Sequence, residues 1–442
     1  MPNSTTMITG DSAESIADSV RELVDRGDLA PGQQLPSVRA LSGELGVHRN
    51  TVVSAYRRLA TTGTVSTRGR AGTAVTGATP MAEEGSAGGG TLRDIGHGNP
   101  GATWLPDPRD AFALLATMDQ PAVLYGGDSL DEDVERWARR WISADHARDF
   151  GVVLTAGAVD AVERLLAQSL TRGDGVALED PCFLTSINSV RLAGYRPVPV
   201  PVDAEGMSPD GLRTALQAGV RAVVCTPRAH NPTGASLTAG RAAELREVLQ
   251  AHPHVLVVED DHFSRLSTSD YHSIIGEGHR RWALVRSVSK LLGPDLRLAV
   301  VAADDDTVGR LRRRLSAGTT WVSHILQRIV TVMLDDGTTA DRIRQAREYY
   351  ARRNADVVRM FAGTPVVAAP GDGLNVWLTL PVPAQGAAAR LAARGWRVRT
   401  GEQFALTGTG EDRHLRLTVH DLDDADLQVL AEDILAVVAM GS

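Results

Sequence analysis

One residue type is almost absent from this sequence: of its 46 Lys and Arg residues, only Lys290 is a lysine. It follows an apolar run, Trp282 to Val288, in the string Arg286-Ser287-Val288-Ser289-Lys290. A guanidinium stays protonated, whereas an ε-amine can lose its proton and condense with an aldehyde to a Schiff base. One amine kept at a strand-to-turn junction points to covalent attachment of a carbonyl cofactor, with pyridoxal 5′-phosphate (PLP) as the candidate. Taken alone, Lys290 also reads as a solvated lysine left over in an arginine-biased chain.

Other chemistry-bearing residues also stand at the ends of apolar runs. Thr155 to Asp160 follows Val152-Val153-Leu154 and opens a helix whose first N–H groups can cradle a phosphate. Glu179-Asp180-Pro181-Cys182-Phe183 ends the next run; Phe183 can cover a flat ring or simply pack in the core. The string Thr226 to Gly234 contains the uncommon Asn231-Pro232-Thr233-Gly234. Glu259-Asp260-Asp261-His262 ends Val255-Leu256-Val257-Val258, and acids at the end of so apolar a strand need a partner, which a pyridinium nitrogen would supply. Asn231, Asp260 and Lys290 follow one another at intervals of about 30 residues, one strand-helix-strand unit, so the three can converge on one sheet edge.

The elements that must position them are legible in the same runs. Nearly continuous Val/Leu segments, including Val176-Ala177-Leu178, Ala222 to Cys225, Ala283 to Val285 and Leu298 to Val301, imply strands buried on both faces. That is a mostly parallel sheet clothed in helices, which binds ligands beyond the carboxyl ends of its strands. Ahead of it lies a short α+β segment. Residues 12–26 place Ile16, Val20, Leu23 and Val24 on one helical face, and Gly27 ends that helix. Ser37 is the N-cap of a second helix reaching Leu45-Gly46. A third helix opens with His48-Arg49-Asn50-Thr51 and turns Val52, Ala55, Tyr56 and Leu59 inward. Two short helices across a tight turn, the second opening with polar and basic residues, form a helix-turn-helix. A strand, the turn Arg68-Gly69-Arg70-Ala71-Gly72 and a second strand then make a wing.

Charge and composition set the limits. The net charge is −8, which argues against indiscriminate polyanion binding but not against a local basic face. Residues 1–76 carry eight arginines against seven acids, so a DNA-binding reading rests on where the arginines lie. Cys182 and Cys225 lie in apolar runs without metal-ligand spacing and read as buried thiols of a cytoplasmic protein; no metal is expected. Neither a signal peptide nor a membrane-spanning run is evident.

Residues 11–76 resemble the winged helix of the GntR family of bacterial regulators, through Leu35-Pro36-Ser37-x-Arg39, Arg49-Asn50-Thr51-Val52-x-x-Ala55-Tyr56-x-x-Leu59 and the wing. The resemblance implies that Arg39 holds a phosphate of double-stranded operator DNA, that Arg49, Asn50 and Thr51 meet the major groove, and that Arg68, Gly69 and Arg70 enter the minor groove. Residues 77–91 are rich in small residues and read as a flexible linker. Residues 92–442 resemble fold-type I PLP-dependent aminotransferases, with a large part over about 115–330 and a smaller C-terminal α+β part over 331–442. By that likeness Lys290 forms the internal aldimine, Asp260 pairs with the pyridine nitrogen, Asn231 bonds the ring hydroxyl and Phe183 stacks on the ring. Gly157, Ala158, Ser287 and Arg297 hold the phosphate, Tyr125 reaches the neighbouring subunit's phosphate, and Arg416 with Gly98 receives an effector or substrate carboxylate. His262 stands where these enzymes usually carry a tyrosine that tunes the cofactor's ring oxygen.

A GntR winged helix joined to such a domain is the layout of the MocR subfamily. The resemblance implies a homodimeric, PLP-dependent transcription regulator that senses PLP, or an amino acid or amine, through the aldimine at Lys290. Two other readings stand beside the amine sensor: a working aminotransferase with an accessory DNA-binding domain, and a vitamin B6 sensor whose ligand is PLP itself.

Overall fold

A computed structural model describes residues 8–67, 72–75, 85, 91–119, 121–406 and 410–441. Contacts divide the chain into two compact units: Met1–Glu83 with Thr171–Gly173 and Asn188–Arg196, and the remainder.

The N-terminal helices form where local signals place them. Ser12 caps Ala13–Asp25 in a capping box with Ser15, and Ser37 caps Val38–Leu45 by accepting from Ala40 N. Gly46, at φ +63°, ends that second helix in the left-handed conformation that glycine adopts at little cost. His48 caps Arg49–Thr61. Val65–Thr67 and Thr73–Val75 pair antiparallel as the two wing strands. Ile16, Val20, Leu41, Val52, Ala55 and Leu59 close the core, and Tyr56 donates its hydroxyl to Pro36 O at 2.7 Å, fixing the third helix to the entrance of the second. Arg39, Arg49 and Asn50 are exposed and Thr51 is half-buried. Arg68, Gly69 and Arg70 lie outside the described residues, as do most residues of the expected linker.

The large unit is built on an eight-stranded sheet. Its order is Gly151–Thr155, Ala299–Ala303, Trp282–Ser287, Leu256–Asp260, Val220–Cys225, Gly175–Asp180, Arg196–Asp203 and Gly206–Met207. The four strands from Trp282–Ser287 to Gly175–Asp180 are parallel to one another. Ala299–Ala303 runs against both of its neighbours, because the short connection from Val288 to Leu298 cannot make the crossover that a parallel strand needs. Arg196–Asp203 was not among the expected strands. It reads Arg-Pro-Val-Pro-Val-Pro-Val-Asp, and prolines cannot donate to a ladder, so such a strand belongs near the margin of a sheet.

The smaller part is a four-stranded antiparallel sheet, Val367–Ala368, Val376–Thr379, His414–Leu417 and Arg399–Thr400 in that order. Helices Ala384–Ala393 and Asp424–Ala439 contribute Leu391 and Ile434 to a core shared with Leu378, Leu415 and Leu417. This part also annexes the beginning of the unit: Arg93–Asp94 pairs parallel with Trp396–Arg397. Among the described residues no helix is long and apolar enough to cross a membrane, and no group of His, Cys, Asp or Glu could hold a metal ion.

The carboxyl ends of the central strands are braced by a buried charge network. Asp261 accepts from Arg228 Nε and Nη2 at 2.8 and 2.9 Å and from Arg286 Nε at 2.8 Å, while Arg286 Nη2 reaches Asp145 at 2.6 Å. Burial pushes the Asp261 carboxyl upward, but the Arg228 hydrogen bonds and the two guanidinium charges outweigh it and hold its pKa below the ordinary value. Removing this carboxylate takes from Arg228 its carboxylate partner and leaves Arg286 with the carboxylate of Asp145 alone. Asp261→Ala is therefore expected to cost about 3–5 kcal/mol in urea unfolding at neutral pH. Since the folded-state pKa is depressed, the wild-type contribution is full above the ordinary carboxylate pKa and fades as pH falls through the lowered one.

Candidate functional site

The four parallel strands end together, and the polar residues that follow them meet there. Trp282–Ser287 pairs with Leu256–Asp260 in a register that sets Val285 beside Asp260. Lys290 therefore follows, one short turn on, in the helical segment Ser289–Leu292 next to the strand that ends at Asp260. Lys290 Nζ donates to Gly98 O at 2.9 Å. Gly98 has φ +67° and donates its own N–H to Thr418 Oγ1 at 3.0 Å. Arg416, wholly buried in His414–Leu417, donates to Asn231 Oδ1 at 3.0 Å and to Gly96 O at 2.6 Å, with its guanidinium 4.7 Å from the centre of the Phe404 ring. Five expected site residues, Lys290, Gly98, Arg416, Asn231 and Asp260, thus come from distant parts of the chain to one locality.

Asp260 carries a signature of its own. It is buried at the strand end, and among the described residues its Oδ1 has no hydrogen-bond partner. Burial raises its pKa; the neighbouring His262 opposes that rise and Asp261 adds to it. A cationic N–H donor, such as a protonated pyridine nitrogen, would satisfy the oxygen and favour the carboxylate.

Of the residues expected to hold a phosphate, Gly157 and Arg297 lie side by side. Gly157, at φ +97°, is the N-cap of Ala158–Ala167, and no side chain caps that helix, which leaves its first N–H groups for an anion. Arg297 Nη2 donates to Ala156 O at 3.1 Å, and a Cβ added at Gly157 would lie 3.0 Å from the same Nη2. Ser287, buried, donates to Ser289 Oγ at 3.1 Å and accepts from Ser289 N. The helix terminus and the Arg297 guanidinium beside it offer donors whose chemistry fits a phosphate, and the orphaned Asp260 oxygen and the Lys290 amine fit the rest of PLP.

Three expected residues are less tightly drawn in. Phe183 is half-buried directly before helix Leu184–Leu192, and His262 is half-buried with its ring edge-on to Phe263. Tyr125 is 90 % exposed, with its ring 5.6 Å from that of Trp321.

Several residues around Lys290 were not foreseen. Thr418, buried, donates to Asn375 Oδ1 at 2.9 Å while it receives Gly98 N–H. His97 Nδ1 accepts from Asn99 N, and its Nε2 lies 3.6 Å from Asp421. Burial lowers the His97 pKa, and it lowers that of buried His420 to about 3, with the charges of His97 and Lys290 adding to the effect. The His420 ring is therefore neutral at physiological pH. Gly96-His97-Gly98-Asn99 and the Thr418 that closely follows Arg416 were the available signals, but short polar strings of this kind are common in loops.

Residues 110–434 match the family described as aminotransferase class I and II, and residues 12–75 match the bacterial regulatory proteins of the gntR family. The chain is 45 % identical over 429 residues to the vitamin B6 salvage pathway transcriptional repressor PtsJ of Salmonella typhimurium, covering 97 % of this chain and 99 % of that one. It is 25 % identical over 446 residues to the HTH-type pyridoxine biosynthesis transcriptional regulator PdxR of Corynebacterium glutamicum, covering 96 % of each. Among solved structures, kynurenine aminotransferase of Pyrococcus horikoshii aligns with a TM-score of 0.72 at 20 % identity, covering 79 % of this chain and 91 % of that one. The α-aminoadipate aminotransferase LysN of Thermus thermophilus aligns with a TM-score of 0.69 at 23 % identity, covering 79 % and 94 %. These two likenesses concern the fold.

The cradle makes a direct prediction. Gly157→Ala forces a side chain into the left-handed region and against Arg297, at a cost of about 1–2 kcal/mol in denaturant unfolding. PLP titrated by absorbance is expected to bind the variant more weakly than the wild type, whereas Gly126→Ala, a left-handed glycine whose added Cβ meets nothing within 4 Å, lowers stability without weakening PLP.

Proposed function

Because the chain belongs to the MocR subfamily of GntR-type regulators, a gntR-family winged helix joined to a class I and II aminotransferase domain, we propose that PLP itself is the signal it reads, by covalent attachment at Lys290. The protein is a PLP-dependent DNA-binding transcription regulator. The observation that carries the proposal is the orphaned Asp260 oxygen at the end of the strand that neighbours the one leading into Lys290. When bound, PLP supplies an aldehyde that condenses with an amine.

The protein's own groups do the rest. Lys290 Nζ offers the amine, and Asp260 balances the charge of the ring nitrogen. Asn231 donates to the ring oxygen, and Phe183 covers one ring face. Gly157, Ala158, Ser287 and Arg297 bind the phosphate through N–H, hydroxyl and guanidinium donors. His262 has no phenol to offer the ring oxygen, which favours retention of the cofactor over repeated amino transfer. Arg416 rests on Asn231 and Gly96, a paired state that needs no effector carboxylate. The name of the Salmonella relative supports vitamin B6 as the subject of regulation and repression as the outcome. Arg39, Arg49, Asn50, Thr51 and the Arg68 to Arg70 wing contact the operator. A second copy completes the assembly: Phe112, Leu114, Leu124, Tyr125 and Ile325 are apolar and more than half exposed, the kind of surface that a homodimer covers.

Two measurements test this reading. A footprint of the purified protein on DNA upstream of its own gene, at stated salt, is expected to change when PLP is added. Borohydride reduction of the PLP-loaded protein, followed by peptide mass analysis, is expected to leave the pyridoxyl group on the Lys290 peptide. Protection indifferent to PLP, or sustained amino transfer to a 2-oxo acid at enzyme-like rates, would count against a PLP sensor and for an enzyme.

A further inference from the structure

The segment that directly follows the linker is tied both to the smaller part and to the site. Arg93 N donates to Gly395 O at 2.7 Å, Ile95 N to Arg397 O at 2.9 Å, and Thr418 N to Ile95 O at 2.6 Å. Gly96 O receives Arg416 Nη2 at 2.6 Å and Arg399 Nε at 2.9 Å. Gly98 is held at both ends, its N–H by Thr418 Oγ1 and its carbonyl by Lys290 Nζ. Thr418 Oγ1 accepts from Gly98 while donating to Asn375 Oδ1, so its one hydroxyl proton is committed and its lone pair is aimed at Gly98. A Cβ at Gly96 would lie 2.9 Å from Arg399 Cγ, which leaves this backbone little room to shift while Arg399 stays in place. Of these contacts, the only one made by the amine that carries the chemistry is that from Lys290 to Gly98.

We infer that Lys290 and Gly98 form a contact switch: the amine holds residues 93–99 in one arrangement until the cofactor claims it, with Thr418 as the positioning residue that keeps Gly98 poised. The inference rests on the reading that PLP attaches at Lys290. The chemistry makes the two contacts exclusive. Nζ gives one proton to solvent and its other two hydrogens to the carbonyl oxygen, which leaves as water as the C=N bond forms. The imine nitrogen carries no hydrogen unless solvent returns a proton to it, and the atom is then tied to the cofactor, so donation to Gly98 O is given up. The carbonyl left behind is a strong acceptor in a buried place, and the segment must rearrange or find water to satisfy it. Residues 93–99 are joined through residues 77–91 to the winged helix, so a rearrangement there moves the point at which that connection begins. A ligand shifts an equilibrium only by favouring one of two arrangements, and this exclusive choice of partner for one amine supplies that difference.

Substitutions at position 290 divide the two roles of the amine. Lys290→Arg retains a donor for Gly98 but cannot condense with an aldehyde; Lys290→Ala has neither. With DNA upstream of the gene as the probe, wild type is expected to change its affinity by about fivefold or more on addition of PLP. PLP-free Lys290→Ala is expected to bind like PLP-loaded wild type, and Lys290→Arg like PLP-free wild type whether or not PLP is present. Thr418→Val is expected to retain PLP binding by absorbance while losing most of the PLP-dependent change in DNA affinity, and Thr418→Ser to restore it. Amide exchange on the full-length wild type provides a readout independent of variants: peptides spanning 93–99 exchange faster once PLP is bound. Exchange unaltered by PLP overturns the switch, and so does Lys290→Ala fixed at the PLP-free affinity while wild type itself responds to PLP. Faster exchange with unaltered DNA affinity upholds the contact switch and instead removes PLP as the transcriptional signal.

Discussion

A strand buried on both faces can carry polar chemistry only at its ends, and the central sheet imposes that constraint on everything else in the large unit. Val257, Val258, Leu284 and Val285 are wholly buried, so a charged group among them would have no water and no partner. The acids therefore gather where the strands stop, and each is treated differently there. Asp261 is neutralised by two guanidiniums. Glu259 lies under Tyr271, Ser273 and the Ile274 N–H, and burial raises its pKa to about 7. Glu179 is raised by burial to about 8 despite hydrogen bonds from Thr226 N and Cys225. Asp260 alone among these four has a carboxylate oxygen with no donor among the described residues. The same physics that forbids acids inside the sheet thus separates carboxylates satisfied at its rim from the one left with an oxygen unsatisfied among the described residues.

How much of this could be read from the chain depended on the range of the interaction. Ser12, Ser37, Gly46 and the apolar faces of the first three helices act within a few residues, and they appear where their spacing put them. The strands of the central sheet announced themselves through Val/Leu runs, and Lys290 through its solitude. Arg196–Asp203 escaped because its prolines look like loop, although a margin strand tolerates them. The reversal of Ala299–Ala303 lay in the brevity of its connection, a signal that takes effect only once its neighbours are placed. Thr418, Asn375 and Gly96 were illegible for a stronger reason. Each earns its place through a partner some 40 to 320 residues away, and a single polar residue carries no mark of such a partner.

The smaller part owes its role to that long reach. It takes Arg93–Asp94 as a strand partner, receives the Gly98 N–H through Thr418 and sends Arg416 across to Asn231. Elsewhere the two parts meet with almost no space between backbones: a Cβ at Gly234 would lie 3.0 Å from the Gly371 Cα and from the Asp372 carbonyl oxygen, and Asp372 N donates to Gly234 O at 2.8 Å. The loop carrying Asn231 is thereby fixed on both sides, by Arg416 and by the Gly371 to Gly373 turn. Interfaces packed this closely change by discrete rearrangement more readily than by gradual deformation.

The half-buried amine that donates to Gly98 is also the chain's entire stock of side-chain amine. Any reagent or cellular modification directed at lysine has a single side-chain address in this protein, and that address is the site itself. Acylation there would erase both the donor and the nucleophile in one event, and no second lysine could dilute it. With arginine as its other basic side chain throughout, the molecule offers lysine chemistry one side chain, the one through which it would listen.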